Sequence, residues 1–322
     1  MKAAVFHGAG RVDAGEWPRP TIGPGELLVK VRGCGLCGSD IAKIVDPATR
    51  APAVFGHEVV GDVADVGEGV ASFAAGHRVV VAHHVPCGAC HYCQRGSESM
   101  CREFKRSQLD PGGFAEYVRI PPELVGELLP IGDLDPATAT LTEPLGCALR
   151  AQDRAGLRPG DSLLVVGAGC AGLLNILAAH ARGIDAVWVR EPDHARLARA
   201  EAWGATAHGN EPVDVAMVCT ESSRAIAEAA QALAPGGTLC LYAPPEPRTP
   251  LGVDGWTVFA RELRVTASWS AGPADMRAAL ALLQARAAPF AELITAAFSL
   301  DQTGEALAAQ RTGEVYKAVV FP

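Results

Sequence analysis

The chain has 322 residues, 49% apolar and 20% charged, with a formal net charge of −8. That length suggests about two domains, and the composition is globular, not disordered. An acidic chain without a basic run is a poor match for nucleic acid or an anionic membrane.

The opening stretch, MKAAVFHGAG, lacks the apolar run of a secretion signal. No segment approaches the roughly 20 apolar residues that span a bilayer. A cytoplasmic, reducing location is therefore expected. There the ten cysteines are read first as metal ligands or catalytic groups.

Up to about residue 140 the chain reads as short strands broken by Gly and Pro: ELLVKVRG, EVVGDVADVG, HRVVVAHHV and FAEYVRI. Alternating apolar positions and frequent turn signals imply a β-rich, barrel-like domain. Within it lies GCGLCGSD, residues 33–40, with Cys34 and Cys37 three apart. Such a pair fits a redox disulfide, half of a zinc site, or chance.

Cys87, Cys90, Cys93 and Cys101 follow within fifteen residues. Four thiolates so spaced can close a tetrahedron around zinc with no open position, which makes a structural site. His83, His84 and His91 lie nearby and are read as surface residues or neighbours outside the ligand set. His57 and Glu58, in FGHEVVGDVADVGEGV, and Glu143, in TEPLG, come from distant segments. With Cys37 they form a mixed sulfur, nitrogen and oxygen set of the kind a catalytic zinc uses.

The pattern changes near residue 145. DSLLVVGAG is a strand running into a glycine turn, and CAGLLNILAAHARG is a helix stopping at Gly183. The strand DAVWVRE, the helix PDHARLARAEAWG, the strand VDVAMVCT, the helix SRAIAEAAQALAPGG and the strands TLCLYA and LRVTAS follow. This alternation implies a parallel sheet covered on both faces, over residues 146–269. Residues 270–322 hold one clear helix and a last strand, YKAVVFP, and are too short to stand alone.

Gly167, Gly169 and Gly172 match G-x-G-x-x-G between a strand and a helix. The context fits a dinucleotide pyrophosphate resting on the helix N-terminus. Glu191 ends the next strand, where an acid can hold the ribose hydroxyls. It favours NAD over NADP, while Arg190 and Arg196 nearby oppose that preference.

Taken together, these segments resemble the medium-chain dehydrogenase/reductase family, in its zinc-dependent alcohol and polyol dehydrogenase branch. The resemblance rests on CGLCGSD, GHEVVGDVADVGEGV, CGACHYC with Cys101, DPGGFAEYV, EPLG and VVGAGCAG, in that order. It implies an α/β protein with a GroES-like barrel domain, residues 1–145 and 270–322, and a Rossmann domain, residues 146–269. It implies two zinc ions per chain, a nicotinamide cofactor, an alcohol or ketone substrate, and a homodimer or homotetramer. Catalytic zinc would be held by Cys37 and His57, with Glu58 or Glu143 as the further ligand; Cys147 is the poorer candidate.

Ser39 matches the family's proton-relay hydroxyl, and Asp40 would hold the outer nitrogen of His57. Lys317 resembles a basic residue that contacts cofactor phosphates; the alternative is an exposed surface lysine. Three departures stand out: Ala42 where the relay histidine is usual, CTESS at 219–223, and a short stretch between Asp40 and His57. The expected reaction is oxidation of a secondary alcohol of polyol, cyclitol or hydroxy amino acid type. The competing readings are a simple alcohol dehydrogenase, a zinc-free reductase of the same fold, and a non-catalytic nucleotide-binding protein.

Overall fold

The computed structural model describes residues 1–322 and divides them into two compact units. The first comprises Met1–Pro144 with Ala271–Pro322, the second Leu145–Ser270.

The first unit opens with an antiparallel pair, β1 (Lys2–Gly8) and β2 (Arg11–Glu16). Its larger sheet is built from β3 (Leu27–Gly35), β4 (Glu58–Val66), β5 (Arg78–Val81), β6 (Tyr117–Ile120) and β7 (Leu129–Pro130). β3, β4, β5 and β7 follow one another antiparallel, and β6 pairs with β3. Alternation decides which face is buried. Val29 and Val31 on β3, Val59 and Val63 on β4, and Val79 and Val81 on β5 point into one core, while Lys30 and Arg32 are exposed.

The second unit carries β8 (Ser162–Val166), β9 (Ala186–Arg190), β10 (Thr206–Ala207), β11 (Val213–Val218), β12 (Leu233–Leu241) and β13 (Arg264–Ala267). All neighbours are parallel, in the order β10-β9-β8-β11-β12-β13. That is the doubly wound dinucleotide-binding order, and it reverses direction beside β8. The helix after β11 ends at Gln231, and Leu233 already pairs with Val213. The segment ALAPGG therefore enters an irregular strand instead of prolonging the helix, because Pro235 and two glycines cannot extend it.

The last two strands, β14 (Ile294–Ser299) and β15 (Lys317–Phe321), belong to the first unit. β15 pairs antiparallel with β3, Val320 opposite Cys34 and Val319 opposite Gly35. The end of the chain thus lies beside the end of β3. No helix is long and apolar enough to cross a membrane.

Candidate active site and metal centres

Antiparallel pairing sets the site in the first unit. β3 and β4 place Gly35 opposite Glu58. The residue group just past β3 and the group just before β4 are consequently neighbours. The first contains Cys37 and the second His57.

Cys37 caps the helix Gly38–Val45. Its sulfur accepts the Ser39 N–H at 3.4 Å, and Asp40 accepts the Cys37 N–H at 3.1 Å. This reciprocal cap satisfies two donors that a helix start would otherwise leave unpaired. It also fixes Asp40, which is fully buried, with Oδ1 3.3 Å from His57 Nδ1. Holding Nδ1 leaves Nε2 as the nitrogen for a metal. Burial disfavours the His57 imidazolium, but Asp40 and then Cys37 outweigh it and hold its pKa well above the usual range. A metal must displace that proton. Ser39 is exposed and donates its hydroxyl to the Cys37 sulfur at 3.3 Å.

Ligand atoms of Cys37, His57 and Glu58 lie within 4.8 Å of one another. A second group, His57, His83 and Glu143, meets the same limit and shares His57. Glu143 is buried in the first turn of the helix Thr142–Ala155. The four residues expected from the sequence are therefore drawn around His57, but in two sets, and His83 joins the second. His83, read from the sequence as a surface residue or a neighbour outside the ligand set, is half-buried and lies beside His57. Burial, then the charge of His57, hold His83 well below the usual histidine range.

Lys317 is placed otherwise than expected. It is 2% exposed, pairs with the Glu58 carboxylate and donates to the Leu36 carbonyl at 3.0 Å. The surface-lysine alternative is corrected. An ammonium already engaged by a carboxylate and a carbonyl is also no free clamp for a phosphate. Burial raises the pKa of Glu58, with the Lys317 charge opposing it. Oε1 of Glu58 is buried without a hydrogen-bond partner, a polar atom in need of a ligand.

The four-cysteine lobe is a separate cluster. Its sulfurs lie within 4.8 Å of one another, with Cys90 and Cys93 at 3.5 Å and Cys87 and Cys93 at 4.0 Å. A zinc tetrahedron with bonds of about 2.3 Å has sulfur–sulfur edges of about 3.8 Å, so the donor set fits that ion. Cys34, in contrast, is fully buried on β3, its thiol directed at the Gly35 carbonyl at 3.6 Å.

In the second unit, the turn after β8 sits where the strand order reverses. Gly167 has φ +96°, and a side chain on Gly172 would overlap the Gly167 carbonyl oxygen. The backbone is open where a pyrophosphate would approach. Glu191, just past β9, accepts the Ala168 N–H at 2.7 Å, so its carboxylate lies against that turn. Arg190 is engaged elsewhere, with His208 at 2.8 Å and Glu228 at 3.8 Å. The Arg196 N–H is capped by Asp193 in the next helix. Glycine turn and acid thus fit a dinucleotide.

Residues 23–131 match the family model described as the alcohol dehydrogenase GroES-like domain. The chain is 32% identical to the D-altritol 5-dehydrogenase of Agrobacterium fabrum, over 92% of this chain and 91% of the relative. It is 31% identical to the sorbitol dehydrogenase of Halalkalibacterium halodurans, over 100% and 99%. The chain belongs to the medium-chain dehydrogenase/reductase family, in its zinc-dependent alcohol and polyol dehydrogenase branch.

This dehydrogenase superimposes on a zinc-binding dehydrogenase of Sinorhizobium meliloti 1021, solved bound to NADP, with a TM-score of 0.89. The two are 28% identical over 100% of this chain and 99% of the other. It is a zinc-dependent oxidoreductase that interconverts a secondary alcohol and its carbonyl with a nicotinamide cofactor. The departures noted in the sequence lie on this frame. Ala42 is within the helix capped by Cys37, five residues after it, and offers no group to continue a relay from Ser39.

Proposed function

We propose that the enzyme oxidises one secondary hydroxyl of a polyhydroxylated substrate, such as a polyol, sugar alcohol, cyclitol or hydroxy amino acid, with NAD. We further propose two zinc ions per chain, one in the four-cysteine lobe and one at His57. The convergence of Cys37, Glu58, His83 and Glu143 on His57 carries this reading. Three acidic or thiol donors and two imidazoles suit a divalent cation and, beside it, a polar substrate.

When bound, zinc acidifies the coordinated alcohol and the nicotinamide takes up the hydride. The chain's own part is orientation and proton handling. Asp40 keeps the His57 proton on Nδ1 and so presents Nε2. Ser39 Oγ takes the substrate proton. Being exposed, it passes that proton to solvent directly, which answers the absence of a relay histidine at Ala42.

Gly167, Gly169 and Gly172 would receive the pyrophosphate and Glu191 the adenosine ribose. Glu191 would repel a 2′-phosphate, and Arg190 is turned to His208 and Glu228, which supports NAD. The NADP bound to the Sinorhizobium relative favours the other cofactor, with Arg196 as the cation at hand. A cytoplasmic homodimer or homotetramer completes the proposal, on the family's precedent.

Initial rates on a panel of polyols, cyclitols, hydroxy amino acids and simple alcohols, with NAD and NADP side by side, test it. Polyhydroxylated substrates with NAD should give the highest kcat/KM, and Cys37→Ser should abolish turnover. A preference for ethanol-like alcohols would refute the substrate class, and full activity in Cys37→Ser would refute the site.

A further inference from the structure

The register of β4 and β5 continues beyond the ends of both strands. Val59 pairs with Val81. Two residues further along each strand, His57 faces His83, with ring centroids 4.7 Å apart and planes at 47°. The parity is that of the core: Val59 and Val63 on β4, Val79 and Val81 on β5, all point inward. His83 is thereby directed to the same side as the metal-binding histidine.

The ring is also held from behind. His84 lies 4.1 Å from it, centroid to centroid, and Phe104 lies 5.0 Å from His84. Phe104 is fully buried, and His84 Nδ1 meets the Ser107 carbonyl at 2.7 Å, so this backing is fixed at both ends. The contacts of His83 itself are ring contacts, with His57 and His84. Its nitrogens are left to take a ligand.

One ligand atom each of His57, His83 and Glu143 lies within 4.8 Å of the other two. Two imidazoles and one carboxylate make a complete three-donor set of the type found at catalytic zinc. In the other set on His57, one oxygen of Glu58 pairs with Lys317 and Oε1 has no hydrogen-bond partner.

We propose that His83 is a metal donor of this enzyme, giving the His57 site a second three-donor set, His57, His83 and Glu143, beside Cys37, His57 and Glu58. The occupant is a divalent first-row transition metal. The second set has no thiolate, so it suits harder ions better than the first does. His83 thus supplies the fourth side of a site for which the sequence offered ligands on three segments. The inference rests on His57 being a metal ligand.

Cobalt(II) is the probe, titrated into chain whose four-cysteine lobe is loaded with zinc, against a competing chelator. His83→Ala should weaken cobalt binding by more than about 100-fold, beyond the 10–100-fold typical of losing a partner that only supports a ligand. It should also change the visible cobalt spectrum. His84→Ala, which removes only the backing, should stay within about 100-fold. His83→Cys should restore binding and add a thiolate-to-cobalt absorption band, which covers the case in which the alanine variant folds poorly. A loss of about 100-fold or less in His83→Ala, with the spectrum unchanged, overturns the proposal if His57→Ala abolishes binding. Unchanged binding in His57→Ala as well overturns the metal site at His57 and this inference with it.

Discussion

Lys317, the first residue of the last strand, reaches the carboxylate of Glu58, the first residue of β4, and both are shut off from solvent. Two chain segments 259 positions apart meet there because β15 pairs with β3 and β3 with β4. Removing one partner of such a pair leaves a buried charge uncompensated, at a cost of about 3–5 kcal/mol. Lys317→Met should therefore destabilise the first unit by about that amount in urea unfolding of chelator-treated protein. Adding Glu58→Gln to Lys317→Met should recover most of the loss. If Lys317→Met unfolds at the wild-type urea concentration, the pair contributes nothing to the fold.

Gly35 makes room for that pair. A side chain there would overlap Glu58 Oε2 and lie 3.1 Å from Lys317 Cε. Nothing about its backbone demands glycine, so space alone is the reason. Gly35→Ala should displace the Glu58 carboxylate and cost about 1–3 kcal/mol through overpacking. Metal content at the His57 site should fall while the lobe keeps its zinc. Equal metal content and stability in Gly35→Ala would show that Glu58 has slack to move.

In the lobe, the four thiols do not share their protons evenly. Burial and then the Cys90 hydrogen bond push Cys93 up to about 12. Burial also opposes ionisation of Cys101, but the Cys87 N–H and its other backbone donors outweigh it and bring Cys101 down to about 6. At pH 7 Cys93 holds its proton and Cys101 has mostly lost its own. Zinc must therefore expel the Cys93 proton, and protons compete with the metal. Affinity should rise with pH through neutrality and fall further below about pH 6, where Cys101 takes up its proton as well. An indicator-dye titration of proton release on zinc addition, run at pH 5 and pH 8, checks this. Equal release at both values would contradict it.

Much of this was legible in the sequence, and the limit has a physical form. The four-cysteine spacing is local, so chain connectivity alone brings Cys87, Cys90, Cys93 and Cys101 together. The turn at Gly167–Gly172 is local too, and strand–helix alternation gave the parallel sheet. The neighbours of His83 and Lys317 were not legible because they are set by strand register. HRVVVAHHV shows the inward parity of His83, yet only the pairing of β5 with β4 brings it opposite His57. YKAVVFP reads as a strand, yet only its pairing with β3 buries Lys317. The helix drawn through ALAPGG erred in another way, by extending an alanine-rich pattern across residues that end it.

Asp62 on β4 offers a test of charge pairing away from either candidate metal site. Arg78 bonds it at 2.6 Å and Arg32 at 2.7 Å. The Arg78 hydrogen bond first, against a smaller effect of burial, and then Arg32 hold its carboxyl below the ordinary range. A folded-state pKa below the unfolded one stabilises above the unfolded value, and the gain is lost as pH falls through the folded value. Both arginines are more than 40% exposed, so solvent screening keeps the effect to about 1 kcal/mol or less. Asp62→Asn should accordingly be less stable than the parent at pH 7 and converge on it in strong acid. Urea unfolding of both proteins from pH 7 downward measures the difference. A gap that stayed constant with pH would mean that Asp62 acts through packing and not through its charge.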